Sequence, residues 1–197
     1  MNNLLYTLVI FIVRWILIVW GIRAFGQQNI PEKGGAIIAS NHQSYFDPAL
    51  LSSASSRHLH FLARQELFEF NWLFKTLISS LNAVPLERRK FNSEGIRKTI
   101  DYLSEGKIFI VFPEGTRTFD GTIKPFKPGL TALSLKAGVP IIPARITGAF
   151  ESWPRTSPLP KRHYPIRVIY GKPIMPGKDE SPDEICRKLY ERITNLK

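Results

Sequence analysis

The sequence is poor in cysteine and histidine. Its single cysteine, Cys186, excludes an internal disulfide framework and suits a reducing compartment. We expect Cys186 to be a buried structural residue of a helix. Of the four histidines, His58 and His60 share one face of a predicted strand, but no third or fourth ligand accompanies them. We therefore expect no metal centre.

Acidic residues are also scarce, because 16 Asp and Glu stand against 27 Lys and Arg and leave a formal net charge of +11. This excess favours an anionic partner: nucleic acid, an anionic membrane surface or a phosphorylated small molecule. The sequence carries no recognisable helix-turn-helix, finger or aromatic stacking motif. A basic nucleic-acid-binding domain is therefore a remote alternative, and we expect no nucleic-acid partner.

The longest apolar run lies at the N-terminus, where residues 4–22 are apolar apart from Thr7 and Arg14. The run lacks the basic leading segment and the small-residue cleavage site of a secretory signal peptide. We predict a membrane-anchoring helix over residues 1–25, with an anionic phospholipid membrane as partner. A spanning helix and a helix lying in one leaflet both fit. If the helix spans, the basic residues after it place the rest of the chain on the cytoplasmic face.

Residues 26–197 alternate short apolar runs with helical patterns. Predicted strands cover residues 35–40, 58–62, 83–86, 107–112, 140–146 and 166–170. Predicted helices cover residues 48–54, 67–81, 94–104, 130–137 and 182–196. This alternation predicts a single layered α/β domain with a mostly parallel central sheet flanked by helices. The proline-rich stretch 148–165 predicts a long surface connection.

His42 and Asp47 lie five positions apart in SNHQSYFDP, residues 40–48. One interpretation is structural: Asp47 caps a helix whose first turn holds Pro48. The other is catalytic, because histidine is the side chain best able to accept a proton near neutral pH. A nearby aspartate can fix its tautomer and stabilise the imidazolium that forms. No serine or cysteine nucleophile is obviously paired with His42, so the reacting hydroxyl would come from a substrate.

A second motif, KIFIVFPEGTR, consists of a predicted buried strand followed by a turn. Gly115 can adopt a positive φ there, so that backbone N–H groups face an anion, and Arg117 adds a planar fork suited to phosphate. Glu114 should hold Arg117 or the loop backbone in place instead of facing a phosphate. An ordinary turn with a solvated arginine fits the same letters. Further basic residues occur in NAVPLERRK and KPFKPG.

Together these stretches resemble the glycerolipid acyltransferase family, specifically the 1-acylglycerol-3-phosphate (lysophosphatidic acid) acyltransferases. Four blocks carry the resemblance in the family's order: N-H-x4-D at residues 41–47, a Gly-to-Arg block at 82–88, F-P-E-G-T-R at 112–117 and V-P-I-x-P at 139–143. One position departs from the pattern, since Asn82 stands where the family has glycine.

The resemblance implies His42 as the general base and Asp47 as its partner. It implies an acceptor-phosphate site made of Arg88, Glu114, Gly115, Thr116, Arg117 and Lys127. It also implies a membrane-bound enzyme that moves a fatty acyl chain from a thioester donor, acyl-CoA or acyl carrier protein, to the free hydroxyl of lysophosphatidic acid, giving phosphatidic acid. No cofactor or metal is implied. Another lysophospholipid or glycerol 3-phosphate is the alternative acceptor, and a catalytically silent lipid-binding module is a further alternative.

Overall fold

Seven β-strands form one sheet in a computed structural model that describes residues 7, 8, 10, 11, 15, 21–69, 71–80, 82–86, 93–161, 165–177 and 179–197. The strands are β1 (Arg23–Phe25), β2 (Ala36–Ser40), β3 (Leu59–Arg64), β4 (Ala83–Leu86), β5 (Ile108–Val111), β6 (Ile141–Thr147) and β7 (Arg167–Tyr170). Their order across the sheet is β1-β7-β6-β2-β5-β3-β4. Every neighbouring pair is parallel except β6 and β7. The predicted mostly parallel α/β architecture is therefore confirmed.

The central strand β2 is buried on both faces. Ala36 and Ile38 belong to one apolar cluster, whereas Ile37 and Ala39 belong to another. Successive side chains of a strand point to opposite faces, so each cluster covers one face of the sheet. An unbroken apolar run of this kind is typical of a parallel strand between two layers of helices. Because β2 is packed on both faces, its last residue, Ser40, has a fixed position at the carboxyl edge of the sheet.

Helices cover both faces of the sheet and connect its strands. Their bounds are Asp47–Ser53, Trp72–Ser80, Ser93–Ser104, Gly129–Ala137, Ala149–Ser152 and Pro182–Asn195, with 3-10 turns at Gln27–Asn29 and Gln65–Phe68. The last helix begins with a capping box, in which Ser181 Oγ accepts the N–H of Glu184 and the Glu184 carboxylate accepts the N–H of Ser181. Cys186 is buried in this helix, as predicted, and burial raises the pKa of its thiol.

The helix predicted over residues 67–81 is interrupted in the structure. A 3-10 turn that ends at Phe68 and a helix that begins at Trp72 replace it. Asn71 immediately precedes the second helix, at the N-cap position that asparagine favours. Ile78 is buried in the core, whereas Trp72 is 78% exposed. The sequence did not predict this interruption, because residues 67–81 are apolar almost all round and no periodic pattern marks where one helix ends and the next begins.

Residues 23–25 belong to the sheet and not to an anchoring helix. β1 pairs parallel with β7, and Arg23 lies opposite Arg167. Gly26 then turns the chain with φ of +76°, and a Cβ at this position would stand 2.0 Å from the carbonyl oxygen of Tyr170. The anchor predicted for residues 1–25 is therefore not helical through its last three residues. A strand of three residues beside a long apolar run has no periodicity of its own to reveal it.

Most of the predicted anchor lies outside the described residues. Among its described positions, residues 7, 8, 10, 11 and 15 are helical, whereas residues 21–25 are not. Ile10 packs against the core, whereas Leu8, Phe11 and Trp15 are 53%, 56% and 57% exposed. Across the described ranges, no helix has both the length and the apolar character that crossing a bilayer requires.

Candidate active site

Asn41 joins the loop after β2 to the neighbouring strand β6. Its side-chain amide donates to the carbonyl of Ile146 at 2.9 Å, and its Oδ1 accepts the N–H of Ile146 at 2.8 Å. The side chain thus continues the hydrogen bonding between the strands just beyond the end of β2. This pair of bonds holds the following residue, His42, at the carboxyl edge of the sheet.

His42 and Asp47 form a direct pair in this loop. Nδ1 of His42 lies 2.7 Å from Oδ2 of Asp47. The same oxygen accepts the backbone N–H groups of Gln43 at 2.6 Å and of Ser44 at 2.8 Å. The side chain of Asp47 is fully buried, and 19% of the His42 side chain is exposed. Because a carboxylate only accepts, Nδ1 is the donor of this pair, and Nε2 is left as the basic nitrogen of the imidazole.

Of the two interpretations of Asp47, the structural one, in which it caps the helix, is wrong. Asp47 is the first helical residue, and Phe46 occupies the cap position without a side-chain hydrogen bond. The carboxylate turns back toward the preceding loop, where the imidazole of His42 and two backbone N–H groups bind it. Asp47 therefore supports the histidine, which is the arrangement that the catalytic interpretation requires.

The loop after β5 packs directly against His42, because β2 and β5 are parallel neighbours whose carboxyl ends meet. The ring of Phe112 stacks on the imidazole of His42, with centroids 3.9 Å apart and planes 13° apart. The N–H of Thr118 donates to the carbonyl of His42 at 2.9 Å. The two sequence blocks that lie 65 or more residues apart in the chain thus form one surface.

Glu114 holds these loops together by its two carboxylate oxygens. Oε1 accepts the N–H of His42 at 2.7 Å, and Oε2 accepts the N–H of Lys124 at 3.0 Å. Burial raises the pKa of Glu114, while the two N–H bonds oppose that rise. This geometry gives Glu114 the backbone-holding role expected from the sequence.

Gly115 adopts φ of +71°, as predicted, and its N–H donates to the carbonyl of Phe112 at 3.0 Å. The ammonium of Lys127 lies beside Gly115: a Cβ added at Gly115 would stand 3.4 Å from Nζ. Thr116, the next residue, is exposed. Glycine therefore closes the turn and leaves the cation beside the loop unobstructed.

Arg117 points its guanidinium over the ring of Tyr45, at 3.4 Å from the ring centroid. Its side chain forms no hydrogen bond with the residues that the structure describes, and its Nη1 is buried without an acceptor. A buried donor without a partner is costly. The arrangement therefore favours an external anion as the acceptor of this guanidinium.

Arg88 lies outside the described residues, although β4 ends two residues before it at the same edge of the sheet. The departure from the family pattern at Asn82 has a clear explanation in the backbone. Asn82 adopts φ of +59°, a region open to glycine and, among other residues, best tolerated by asparagine. Asparagine is therefore suited to a backbone conformation that glycine also adopts readily.

Sequence reasoning missed two contacts that complete the site. Tyr45 stacks on Arg117 from within the His42 block, and Arg155 reaches Thr116 and Arg117 from the proline-rich connection. The letters SWPR, in which an aromatic residue precedes an arginine in a proline-rich stretch, were the available signal. The strand order, which places β6 beside β2, is what brings this stretch next to the site, and the sequence alone does not give that order.

A sequence model of the acyltransferase family matches residues 21–147 of this chain. The chain belongs to the acyltransferase family. The family resemblance drawn from the four blocks is confirmed. The acyltransferase fold also has a close solved counterpart, the crystal structure of the 1-acyl-sn-glycerophosphate (LPA) acyltransferase PlsC from Thermotoga maritima. That structure has a TM-score of 0.81 and 27% sequence identity, over 95% of this chain and 76% of that chain.

Relatives of this acyltransferase carry one recurrent name, 1-acyl-sn-glycerol-3-phosphate acyltransferase. The protein of that name from Bacillus subtilis is 26% identical over 184 residues, which is 89% of this chain and 88% of the relative. The chloroplastic protein BAT2 from Brassica napus is 31% identical over 172 residues, which is 85% of this chain and 49% of the relative. The chain thus spans about half the length of the Brassica protein.

The roles of the individual residues stay predictions. The structure brings His42, Asp47, Lys127 and the loop 114–117 to one edge of the sheet. Among the residues it describes, no three His, Cys, Asp or Glu side chains cluster in a way that would hold a metal ion.

Proposed function

We propose that this protein transfers a fatty acyl chain from a thioester donor to the free hydroxyl of 1-acylglycerol 3-phosphate, giving phosphatidic acid. The donor is acyl-CoA or acyl carrier protein. The single observation that carries the proposal is that the His42–Asp47 pair lies beside the unpartnered guanidinium of Arg117. Glu114 joins the two loops that carry them, because it accepts the N–H of His42. The names of the relatives support the same reaction.

The chemistry follows from the orientation of His42. Nε2 accepts the proton of the acceptor's hydroxyl as the oxygen attacks the thioester carbonyl carbon. The carbon–sulfur bond then breaks, and the leaving thiolate takes the proton from the imidazolium. Asp47 stabilises that imidazolium through its 2.7 Å contact with Nδ1. Because a thioester is already activated, the reaction needs neither a covalent enzyme intermediate nor a metal.

The acceptor's phosphate binds the cations beside the loop 114–117 in this proposal. Arg117 offers unpaired N–H groups, and Lys127 offers an ammonium beside Gly115. Thr116 adds an exposed hydroxyl on the same loop. Arg88, outside the described residues, is assigned to the same phosphate from the family pattern alone.

The N-terminal segment holds the protein on an anionic membrane in this proposal. Leu8, Phe11 and Trp15 are spaced three and four residues apart and are each more than half exposed. They therefore form one apolar stripe, while Ile10 packs against the core on another side. Such a stripe, with the net charge of +11, suits an apolar and anionic bilayer surface. The site and the acyl chains would then face the cytoplasmic side of one membrane.

Purified protein offered a panel of acceptors with each thioester donor tests the function. Lysophosphatidic acid should be acylated faster than lysophosphatidylcholine, lysophosphatidylethanolamine and glycerol 3-phosphate, and mass spectrometry should identify phosphatidic acid. His42→Ala is the inactive control. Preferential acylation of another acceptor, or product formed equally well by His42→Ala, would overturn the proposal.

A further inference from the structure

Arg155 belongs to the connection after β6, outside the four family blocks. β6 pairs with β2 on the side opposite to β5, so this connection reaches the site from the other side. Nη1 of Arg155 donates to Thr116 Oγ1 and to the carbonyl of Arg117, each at 3.3 Å. Its guanidinium carbon lies 3.9 Å from the ring centroid of Phe119. A second arginine stacked on an aromatic ring thus reaches the loop that carries Arg117.

The position of Arg155 is fixed by the packing of Trp153. The carbonyl of Trp153 accepts the hydroxyl of Ser44 at 2.8 Å, and its indole packs against the ring of Phe46 at 4.6 Å between centroids. The two ends of the connection lie against each other: Gly148 has φ of +81°, and a Cβ there would stand 2.1 Å from the carbonyl oxygen of Pro165. Arg155 is therefore held by the structure and is not a freely solvated surface side chain.

Donors on the cations around this loop are still available. Both hydrogen bonds of Arg155 use Nη1, so Nε and Nη2 have no acceptor among the described residues. Arg117 likewise has no acceptor there, and the ammonium of Lys127 lies beside Gly115 of the same loop. The nearby carboxylates are already bonded, Glu114 to two backbone N–H groups and Asp120 to the hydroxyls of neighbouring threonines. An anion with several oxygens would satisfy these donors.

We propose that Arg155 is a specificity residue for the phosphate of the acceptor. One of its nitrogens holds Thr116 and the backbone of Arg117 in place, and the remaining N–H groups bind the same phosphate as Arg117. This inference rests on the proposed acyl transfer to a phosphate-bearing acceptor. It assigns a function to the described part of the proline-rich connection, which brings Arg155 to the loop 114–117.

Initial rates of the full chain with lysophosphatidic acid and with monoacylglycerol test this assignment. Arg155→Gln should raise the KM for lysophosphatidic acid about 10- to 100-fold, as expected for the loss of hydrogen bonds to a charged group. The KM of the thioester donor and the rate with monoacylglycerol should stay within about twofold. Arg155→Lys should fall between Arg155→Gln and the wild type, because lysine keeps the charge and loses the fork. Lys161→Gln, a loss of the same charge on an exposed side chain of the same connection, should change none of these values.

A binding measurement separates this inference from the proposed function. Glycerol 3-phosphate, used as a headgroup probe in calorimetric titration, should bind Arg155→Gln more weakly than it binds the wild type and Lys161→Gln. If the wild type fails to acylate lysophosphatidic acid but the titration still discriminates, the proposed function fails and the phosphate site stands. Equal binding by all three proteins, an increase confined to the donor's KM, or equal loss of kcat with both acceptors would overturn the role of Arg155.

Discussion

The backbone N–H of His42 donates to Oε1 of Glu114 at 2.7 Å, so the loop that carries Arg117 also holds the predicted base. Glu114→Gln keeps the shape of the side chain but turns one acceptor into a donor that faces a backbone N–H. We expect a loss of about 1–3 kcal/mol in the free energy of unfolding, together with a lower kcat. Chemical denaturation and initial rates measure the two effects. Glu32→Gln, at an exposed position, is the matched control, and equal effects in both variants would contradict this role.

His42→Ala should lower kcat by roughly 10²–10⁴-fold, the range typical of general base catalysis. Asp47→Asn should also lower kcat, because the amide retains one oxygen for the N–H groups of residues 43 and 44 but loses the charge that stabilises the imidazolium. Single-turnover rates should place the loss in Asp47→Asn in the chemical step. His58→Ala, an exposed histidine outside the site, serves as the control. A His42→Ala protein that retains most of its activity would rule out the mechanism.

Asn82 offers a test of backbone shape, because its φ of +59° suits glycine and strains other residues. Asn82→Ala should destabilise the fold by about 1–2 kcal/mol, the cost of a left-handed conformation for a residue with a Cβ. Asn82→Gly removes that strain and should be much less destabilising. Thermal midpoints of the two variants measure the difference, which should be several degrees for a chain of this length. Equal midpoints would show that the backbone conformation is not what selects asparagine here.

The free energy of unfolding should fall as the pH decreases from about 6.5 to about 4, in part because of His60. Burial, aided by the nearby Lys107 ammonium, lowers the pKa of His60 to about 4. Within that window the unfolded chain binds a proton that the folded chain does not, so acid favours unfolding. His60→Phe keeps a ring against Phe109, whose centroid is 5.5 Å from that of His60, and removes the titration. Urea unfolding near the two ends of this window should show a smaller loss in the variant, and an equal loss would contradict the prediction.

The apolar stripe on the N-terminal segment should govern membrane binding. Replacing Phe11 and Trp15 with serine removes two exposed aromatic rings that contact each other, with centroids 6.2 Å apart. Flotation with anionic vesicles should show weaker binding, and the rate on long-chain substrate in vesicles should fall. Short-chain, water-soluble analogues should be acylated as before. Met175→Ser, which alters a side chain 64% exposed elsewhere, should bind vesicles normally, and equal flotation of the double variant would contradict the assignment.

Local patterns in the sequence determined most of the elements. The predicted strand 83–86 coincides with β4, and the predicted helix 182–196 closely matches Pro182–Asn195. These succeeded because apolar runs, capping residues and proline act over a few residues. β1 escaped prediction because its stability comes from pairing with β7, a partner that lies far along the chain.

The residue types at the site were likewise evident from the sequence, since the blocks contain a histidine, carboxylates and cations in fixed order. Their geometry was not. The fold alone decided that Asp47 turns back to His42 instead of capping its helix, and that Tyr45 and Arg155 both meet Arg117. Those contacts depend on the order β6-β2-β5, which brings three loops to one edge. Strand order is set by burial and pairing summed over the whole sheet, so no local stretch of sequence contains it.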